Sequence, residues 1–232
     1  MTDYPTYFSA ALALKGRKVV VVGGDDEATH KANQLLEAGA ELTVISPDPT
    51  EQLRRQADDG ELTLNRRPYR RGDLRGASLA IVCDGSVGEA ARAEADEEGV
   101  WLNVLDQAEL CDFIAVATFA RDGLQFAVHS SGKSAALSRR VRERLESQFD
   151  ERYTELTRAL GEIRPIVNGM IPTPQARRAF WLEAVDEELL TRVDAGRVSF
   201  ERFKQELVAR ACSFDRDNHD KSQPETYRKE RS

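Results

Sequence analysis

Between a β-branched run, Lys18 to Val22, and a stretch with helical spacing stands the hexapeptide Gly23-Gly24-Asp25-Asp26-Glu27-Ala28. Two glycines at the end of a strand let the backbone approach a diphosphate at the start of a helix, where unpaired amides and the helix dipole favour negative charge. Against the dinucleotide-binding pattern G-x-G-x-x-[GA], Gly23 fills the first position and Ala28 the last, while Asp25 replaces the middle glycine. A carboxylate about 4 Å from a phosphate charge costs about 1 kcal/mol in bulk water and about 4 kcal/mol at an effective dielectric of about 20. The turn therefore reads two ways, as a nucleotide cradle or as an ordinary strand-to-helix turn. An NAD fold usually ends its second strand in an acid that holds the ribose hydroxyls. Here that end is Ser46, followed by Pro47-Asp48, and Asp48 serves equally as a cofactor contact or a turn residue.

Other reactive side chains form no local cluster. Cys83, Cys111 and Cys212 are widely spaced and contain no CxxC pair, so neither a disulfide framework nor a zinc knuckle is indicated and a reducing cytoplasm is expected. His30, His129 and His219 are far apart, each reads as a surface or packing residue, and no resident metal site is predicted. The first residues place Asp3 where a secretory signal would want positive charge. No segment approaches the roughly 20 apolar residues that span a bilayer, so a soluble protein with no membrane partner is predicted.

These residues need elements to position them. Lys18 to Val22 suits a strand buried on both faces of a parallel sheet. Ala28, Ala32, Leu35 and Leu36 then recur at helical spacing up to Gly39, and Leu42 to Ile45 is a second strand. Leu62 to Leu64, Leu79 to Cys83, a helix over Glu89 to Glu98, and Val100 to Val104 continue the alternation. The pattern is that of a Rossmann-like, doubly wound parallel α/β sheet. Ile114 to Thr118 and Leu124 to Val128, separated by Ala120-Arg121-Asp122-Gly123, read as an antiparallel hairpin. Ser134 caps a helix whose Leu137, Val141 and Leu145 form a stripe for a core or a dimer seam. From Asp150 three helical segments follow, divided at Gly169 to Pro174 and at Asp194-Ala195-Gly196, the last ending at Cys212.

Several segments in order resemble one family. Leu14-Lys15-Gly16-Arg17-Lys18 leads into the valine run and Gly23-Gly24, Lys31 follows on the first helix, and Glu37 to Asp48 form the second repeat. Asn103-Val104-Leu105-Asp106 with Glu109-Leu110-Cys111-Asp112-Phe113-Ile114 is the most specific match, followed by His129-Ser130-Ser131-Gly132-Lys133-Ser134 and Arg177-Arg178-Ala179-Phe180-Trp181. Over roughly residues 8 to 212 the chain resembles the siroheme synthase N-terminal family, the precorrin-2 dehydrogenases and sirohydrochlorin ferrochelatases.

The resemblance implies an NAD-binding Rossmann-like domain over 1–113, a small α+β dimerisation domain over 114–149 and a helical C-terminal domain over 150–212. Residues 213–232 read as a disordered tail, polar and with almost nothing to bury. It implies NAD-dependent oxidation of precorrin-2 to sirohydrochlorin, then insertion of ferrous iron, a substrate, in a homodimer acting on tetrapyrroles. The family's key carboxylate falls on Asp106, just past a strand end, where proton removal suits a partly buried carboxylate of raised pKa. Cofactor contacts fall on Gly23, Gly24, Asp26, Glu27, Pro47, Asp48, Cys83 and Asp84, and substrate contacts on Asn103, Ser130 and Lys133. Asp25 leaves open a chelatase without NAD, or a non-catalytic homologue that binds tetrapyrrole or nucleotide. Cys83-Asp84-Gly85-Ser86 is two residues shorter than the family's usual segment there.

The charge balance limits the partners. With 33 Lys and Arg against 40 Asp and Glu, net charge −7, the chain is no general nucleic-acid binder. An anionic tetrapyrrole needs a locally basic cleft instead. Candidate clusters are Arg66-Arg67 with Arg70-Arg71, Arg139-Arg140 with Arg142 and Arg144, which also read as a solvated helix face, and Arg177-Arg178. Only seven of the 33 basic residues are Lys, and this Arg-rich, acidic composition fits a salty cytoplasm.

Overall fold

The computed structural model describes residues 7–222, with side chains described as far as Phe214. The valine run forms β1 (Lys18–Val22), since branched β-carbons favour extended backbone. β2 (Glu41–Ile45) and β4 (Leu79–Val82) pair with it in parallel on either side. β3 (Thr63–Asn65) lies outside β2 and β5 (Trp101–Val104) outside β4, giving the order β3-β2-β1-β4-β5. Winding therefore reverses between β1 and β4, and the crevice at their C-terminal ends is where such sheets place ligands.

Successive strand residues face opposite ways, so the four valines feed two cores. Val19 and Val21 pack with Ala28, Ala32 and Leu53, from α1 (Asp26–Glu37) and α2 (Glu51–Asp58). Val20 and Val22 pack with Ala91 and Ala95 of α3 (Gly88–Glu98) and with Leu74. All four valines are at most 3% exposed, and burial of each contributes roughly 1.5–3 kcal/mol.

The predicted alternation holds, with one addition. α2, unforeseen, is polar except for its buried Leu53 and half-buried Ala57 and starts where the Thr50 side chain accepts from the Leu53 amide at 3.4 Å.

A buried carboxylate locks the connection between β3 and β4. Glu94 of α3 is 2% exposed and accepts from Tyr69 Oη at 2.5 Å and from the Leu74 amide at 2.8 Å. Burial, then the hydrogen bond to Glu94, pushes the Tyr69 phenol well above its ordinary value. Glu94→Ala would leave both donors without their acceptor, and an unsatisfied buried group costs about 1–3 kcal/mol. The expected loss is about 3 kcal/mol, read as a lowered urea midpoint at unchanged slope, and Glu94→Gln should lose less because one acceptor remains.

In the second unit, β6 (Ala117–Arg121) and β7 (Leu124–Val128) form the hairpin. Its first strand begins three residues later than expected and runs on through Arg121, leaving a two-residue turn. Asp122 (φ 44°) and Gly123 (φ 90°) both adopt the positive φ that such a tight turn requires. Phe119 and Phe126 stack across the pair with centroids 4.3 Å apart. Arg121 reaches back to cap α4 (Ala135–Gln148), its Nε donating to the Phe149 carbonyl at 2.8 Å. Leu137 and Val141 of α4 are 58% and 38% exposed, so this stripe is not core.

Among the described residues four helices follow rather than three: α5 (Glu151–Met170), α6 (Pro174–Ala184), α7 (Glu187–Asp194) and α8 (Phe200–Ser222). The extra break comes at Asp186, whose side chain accepts from the Leu189 amide at 2.8 Å and starts α7. The expected disordered tail is corrected in part, since α8 continues ten residues past Cys212 to Ser222. Extending a formed helix needs no new nucleus, and Phe214 has a burial partner, Phe180, with centroids 5.3 Å apart. The remainder of that segment, 223–232, lies outside the described residues. Phe180, Ile171, Val167 and Leu207, each at most 1% exposed, centre this helical core.

The chain divides into two compact units, one holding the residues up to Val116 with Ser131–Ser134, the other Ala117–Ser130 and the chain from Ala135. Among the described residues no helix is long and apolar enough to cross a membrane.

Candidate functional site

The glycine turn leaves β1 at the sheet crevice. Gly23 has φ 135°, and a β-carbon there would lie 2.8 Å from the Cys83 β-carbon at the exit of β4. Gly24 is packed as closely on the other side. A β-carbon there would overlap Ser46 Oγ and lie 2.8 Å from the Asp48 carbonyl oxygen. The exits of β1, β2 and β4, with Gly23, Gly24, Pro47, Asp48, Cys83 and Asp84, are thus gathered at one edge.

Asp25 is the N-cap of α1, its carboxylate accepting from the Ala28 amide at 2.9 Å. It is thus held against the helix start, where the dipole favours it. It also takes one of the amides a diphosphate would use, leaving those of Asp26 and Glu27, which no helical carbonyl serves. Glu27 is paired with Lys31 at 3.0 Å. The backbone therefore fits a nicotinamide dinucleotide, with acidic side chains around it that are partly neutralised from within. Burial, then the Asp25 and Glu27 charges, pushes the Cys83 thiol up to about 12, so it holds its proton at neutral pH.

At the exit of β2 Ser46 is 4% exposed and its Oγ accepts from the Asp48 amide at 3.2 Å. The Asp48 carboxylate is exposed and pairs with Arg54 at 3.2 Å. At the β4 exit Asp84 accepts from the Ser86 amide at 3.1 Å and the Ser86 hydroxyl at 2.6 Å, which starts a short 3₁₀ turn, Gly85–Val87.

Asp106 stands on a four-residue turn after β5, closed by the Gln107 amide donating to the Val104 carbonyl at 3.3 Å. It is the third residue of that turn, with φ 59°, a conformation that Asp and Asn tolerate better than other side chains. It is exposed, which corrects the expectation of partial burial: a turn tip has nothing packed over it. Gln107 ties the turn to the neighbouring exit, its Nε2 donating to the Gly85 carbonyl at 2.9 Å. Neither that tie nor the sulfur of Cys111 beneath the turn was foreseen.

Asn103 is 6% exposed and donates to the Phe113 carbonyl at 2.9 Å, so its amide fastens β5 to the following loop. Asp112 fastens the same loop, accepting from the Leu102 amide and from Arg92, each at 2.8 Å. Ser130 and Lys133 lie between β7 and α4, Ser130 in the second unit and Lys133 in the first, and each has interactions of its own. All three cysteines are free thiols.

Five of the ten arginines in the basic clusters pair with acids. Arg67 grips Asp73 with two bonds, at 2.8 and 2.7 Å, and holds that carboxyl below the usual carboxylate range. Arg71 pairs with Glu97. Arg139 and Arg140 pair with Glu143, and Arg142 with Glu146, along one helix.

Comparison with known proteins adds an independent line. A family profile described as putative NAD(P)-binding matches residues 10–117, and one described as the sirohaem synthase dimerisation region matches 152–200, within the helical segment. The siroheme synthase of Chromobacterium violaceum is 34% identical over 212 residues, covering 90% of this chain and 45% of its own length. That of Azotobacter vinelandii is 36% identical over 186 residues, covering 79% and 40%. The chain thus spans less than half the length of the curated relatives it matches. The solved structure of SirC, a precorrin-2 dehydrogenase, superimposes with a TM-score of 0.72 at 26% identity, covering 87% of this chain and 98% of that one. With a nicotinamide-cofactor profile and a sirohaem synthase profile following one another along a Rossmann-like fold, the chain belongs to the siroheme synthase N-terminal family.

Proposed function

We propose that this chain oxidises precorrin-2 to sirohydrochlorin with NAD, and that insertion of ferrous iron to give sirohaem follows at the same site. The observation that carries the reading is the bond from Gln107 to the Gly85 carbonyl, 2.9 Å, which fastens the Asp106 turn to the loop whose Cys83 abuts Gly23. A carboxylate and a dinucleotide turn share one sheet edge.

When bound, the nicotinamide supplies the acceptor for a hydride. Gly23 and Gly24, with the amides of Asp26 and Glu27, would hold the diphosphate, and Pro47-Asp48 would line the ribose. Cys83 and Asp84 would wall the inner side. Asp106 would take the proton that leaves the macrocycle with the hydride, so that two electrons and two hydrogens depart together. In chelation the same carboxylate would accept pyrrole N–H protons as ferrous iron enters as substrate. Ser130 and Lys133 would meet the acidic side chains of the macrocycle.

The domain reading is part of the proposal: cofactor binding by 1–113, dimerisation by 114–149 and a helical C-terminal domain over 150–212, in a homodimer. The dimerisation-region match at 152–200 supports self-association.

A chelatase without NAD is the second reading, and the Asp25 cap on the Ala28 amide is what favours it. Anaerobic incubation with precorrin-2, with and without NAD and ferrous iron, followed by the macrocycle spectrum, decides between them. Oxidation that depends on NAD supports the proposal. Iron insertion into supplied sirohydrochlorin, with no oxidation and no saturable NAD binding, would leave the second reading.

A further inference from the structure

We infer that Cys111 is a positioning residue whose thiol clasps the turn that presents Asp106. Its Sγ lies 3.2 Å from both the Val104 and the Gln107 carbonyl oxygens, which are the two ends of that turn. It also accepts from the Val104 amide at 3.1 Å and from Asn103 Nδ2 at 3.5 Å. One sulfur atom therefore touches the last strand residue before Asp106 and the first residue after it.

The chemistry suits a clasp and not a reactive group. Burial, the largest influence, raises the Cys111 thiol above its ordinary value, so it keeps its proton and can donate to either carbonyl. Its own backbone is anchored, the amide donating to the Ala108 carbonyl at 3.2 Å. Asp106 meanwhile holds φ 59°. A non-glycine residue at such an angle is strained and persists where its surroundings fix it. The Gln107-to-Val104 turn bond, at 3.3 Å, is long for that task alone, and the sulfur adds contacts at both turn ends.

The inference rests on the reading of Asp106 as the proton acceptor, and its test has two arms. Without any substrate, hydrogen exchange in Cys111→Ala should rise at least tenfold at the amide of Gln107, which donates to the Val104 carbonyl, with the β1 amide of Val20 unchanged. In turnover, Cys111→Ala should lower kcat for precorrin-2 oxidation about tenfold at unchanged NAD affinity, and Cys111→Ser, which keeps a donor and an acceptor, should recover most of the loss. In an Asp106→Asn background the cysteine change should lower kcat no further. Unchanged exchange in Cys111→Ala overturns the clasp. Wild-type kcat in Cys111→Ala beside an inactive Asp106→Asn overturns its role in positioning alone. Full activity in Asp106→Asn overturns the proton-acceptor reading itself while leaving the exchange result standing. Should Cys111→Ala fail to fold, Cys111→Val, which suits the extended backbone there and keeps neither donor nor acceptor, carries the exchange arm: faster exchange at Gln107 supports the clasp and unaltered exchange there overturns it.

Discussion

Asp106→Asn is expected to lower kcat for precorrin-2 oxidation by about 10²–10⁴-fold, the range that a positioned general base contributes. Asparagine has nearly the shape of aspartate and tolerates the same left-handed backbone, so φ 59° is kept. The side chain is exposed, so no buried partner is orphaned by the change and the denaturation midpoint should stay within about 0.5 kcal/mol of the parent, as for other exposed substitutions. The effect is therefore confined to chemistry: NAD affinity by calorimetry unchanged, turnover lost. Asp106→Ala makes a poorer probe, because alanine at positive φ adds strain. If Asp106→Asn oxidises precorrin-2 within twofold of the parent, this carboxylate is not the base.

The fold was largely legible because its signals are dense where the sheet is built. Four adjacent valines, a glycine turn and regular alternation of strand and helix leave few topologies open. α2 escaped because only Leu53 and the small Ala57 mark its buried face, too few for periodicity to count. The break before α7 lies in one capping side chain, Asp186, and the length of α8 in one aromatic partner, Phe214 with Phe180. Both are local hydrogen bonding or packing that an average over a window hides.

The site was legible in position and not in bonding. Gly23, Gly24, Asp48, Cys83, Asp84 and Asp106 do meet at one sheet edge, since strand ends in a parallel sheet must. What each side chain touches depends on loops whose course the sequence leaves free. Asp25 caps a helix, Asn103 fastens Phe113, and Gln107 and Cys111 bond to backbone atoms that carry no sequence signal at all.

Gly23→Ala should be the most damaging single-methyl change in the cofactor unit. At φ 135° an L residue is strained whatever space surrounds it, at of order 1–3 kcal/mol. The new methyl also meets the Cys83 β-carbon at 2.8 Å, an atom fixed to the backbone at the exit of β4, so relief requires β1 and β4 to shift apart. Overpacking of this kind costs typically about 1–3 kcal/mol, which brings the expected loss to roughly 2–6 kcal/mol together with at least a tenfold weaker NAD affinity. Gly24→Ala isolates the steric part, because Gly24 does not share that backbone angle. Its methyl would overlap Ser46 Oγ and lie 2.7 Å from the Ser46 β-carbon and 2.8 Å from the Asp48 carbonyl oxygen. Ser46→Gly removes the first two obstacles and leaves the third, so it should restore part of the stability of Gly24→Ala and none of that of Gly23→Ala. Urea unfolding of the four variants against the parent tests both statements. A Gly23→Ala protein of parental stability would mean that the β1 and β4 exits are not held as closely as their geometry requires.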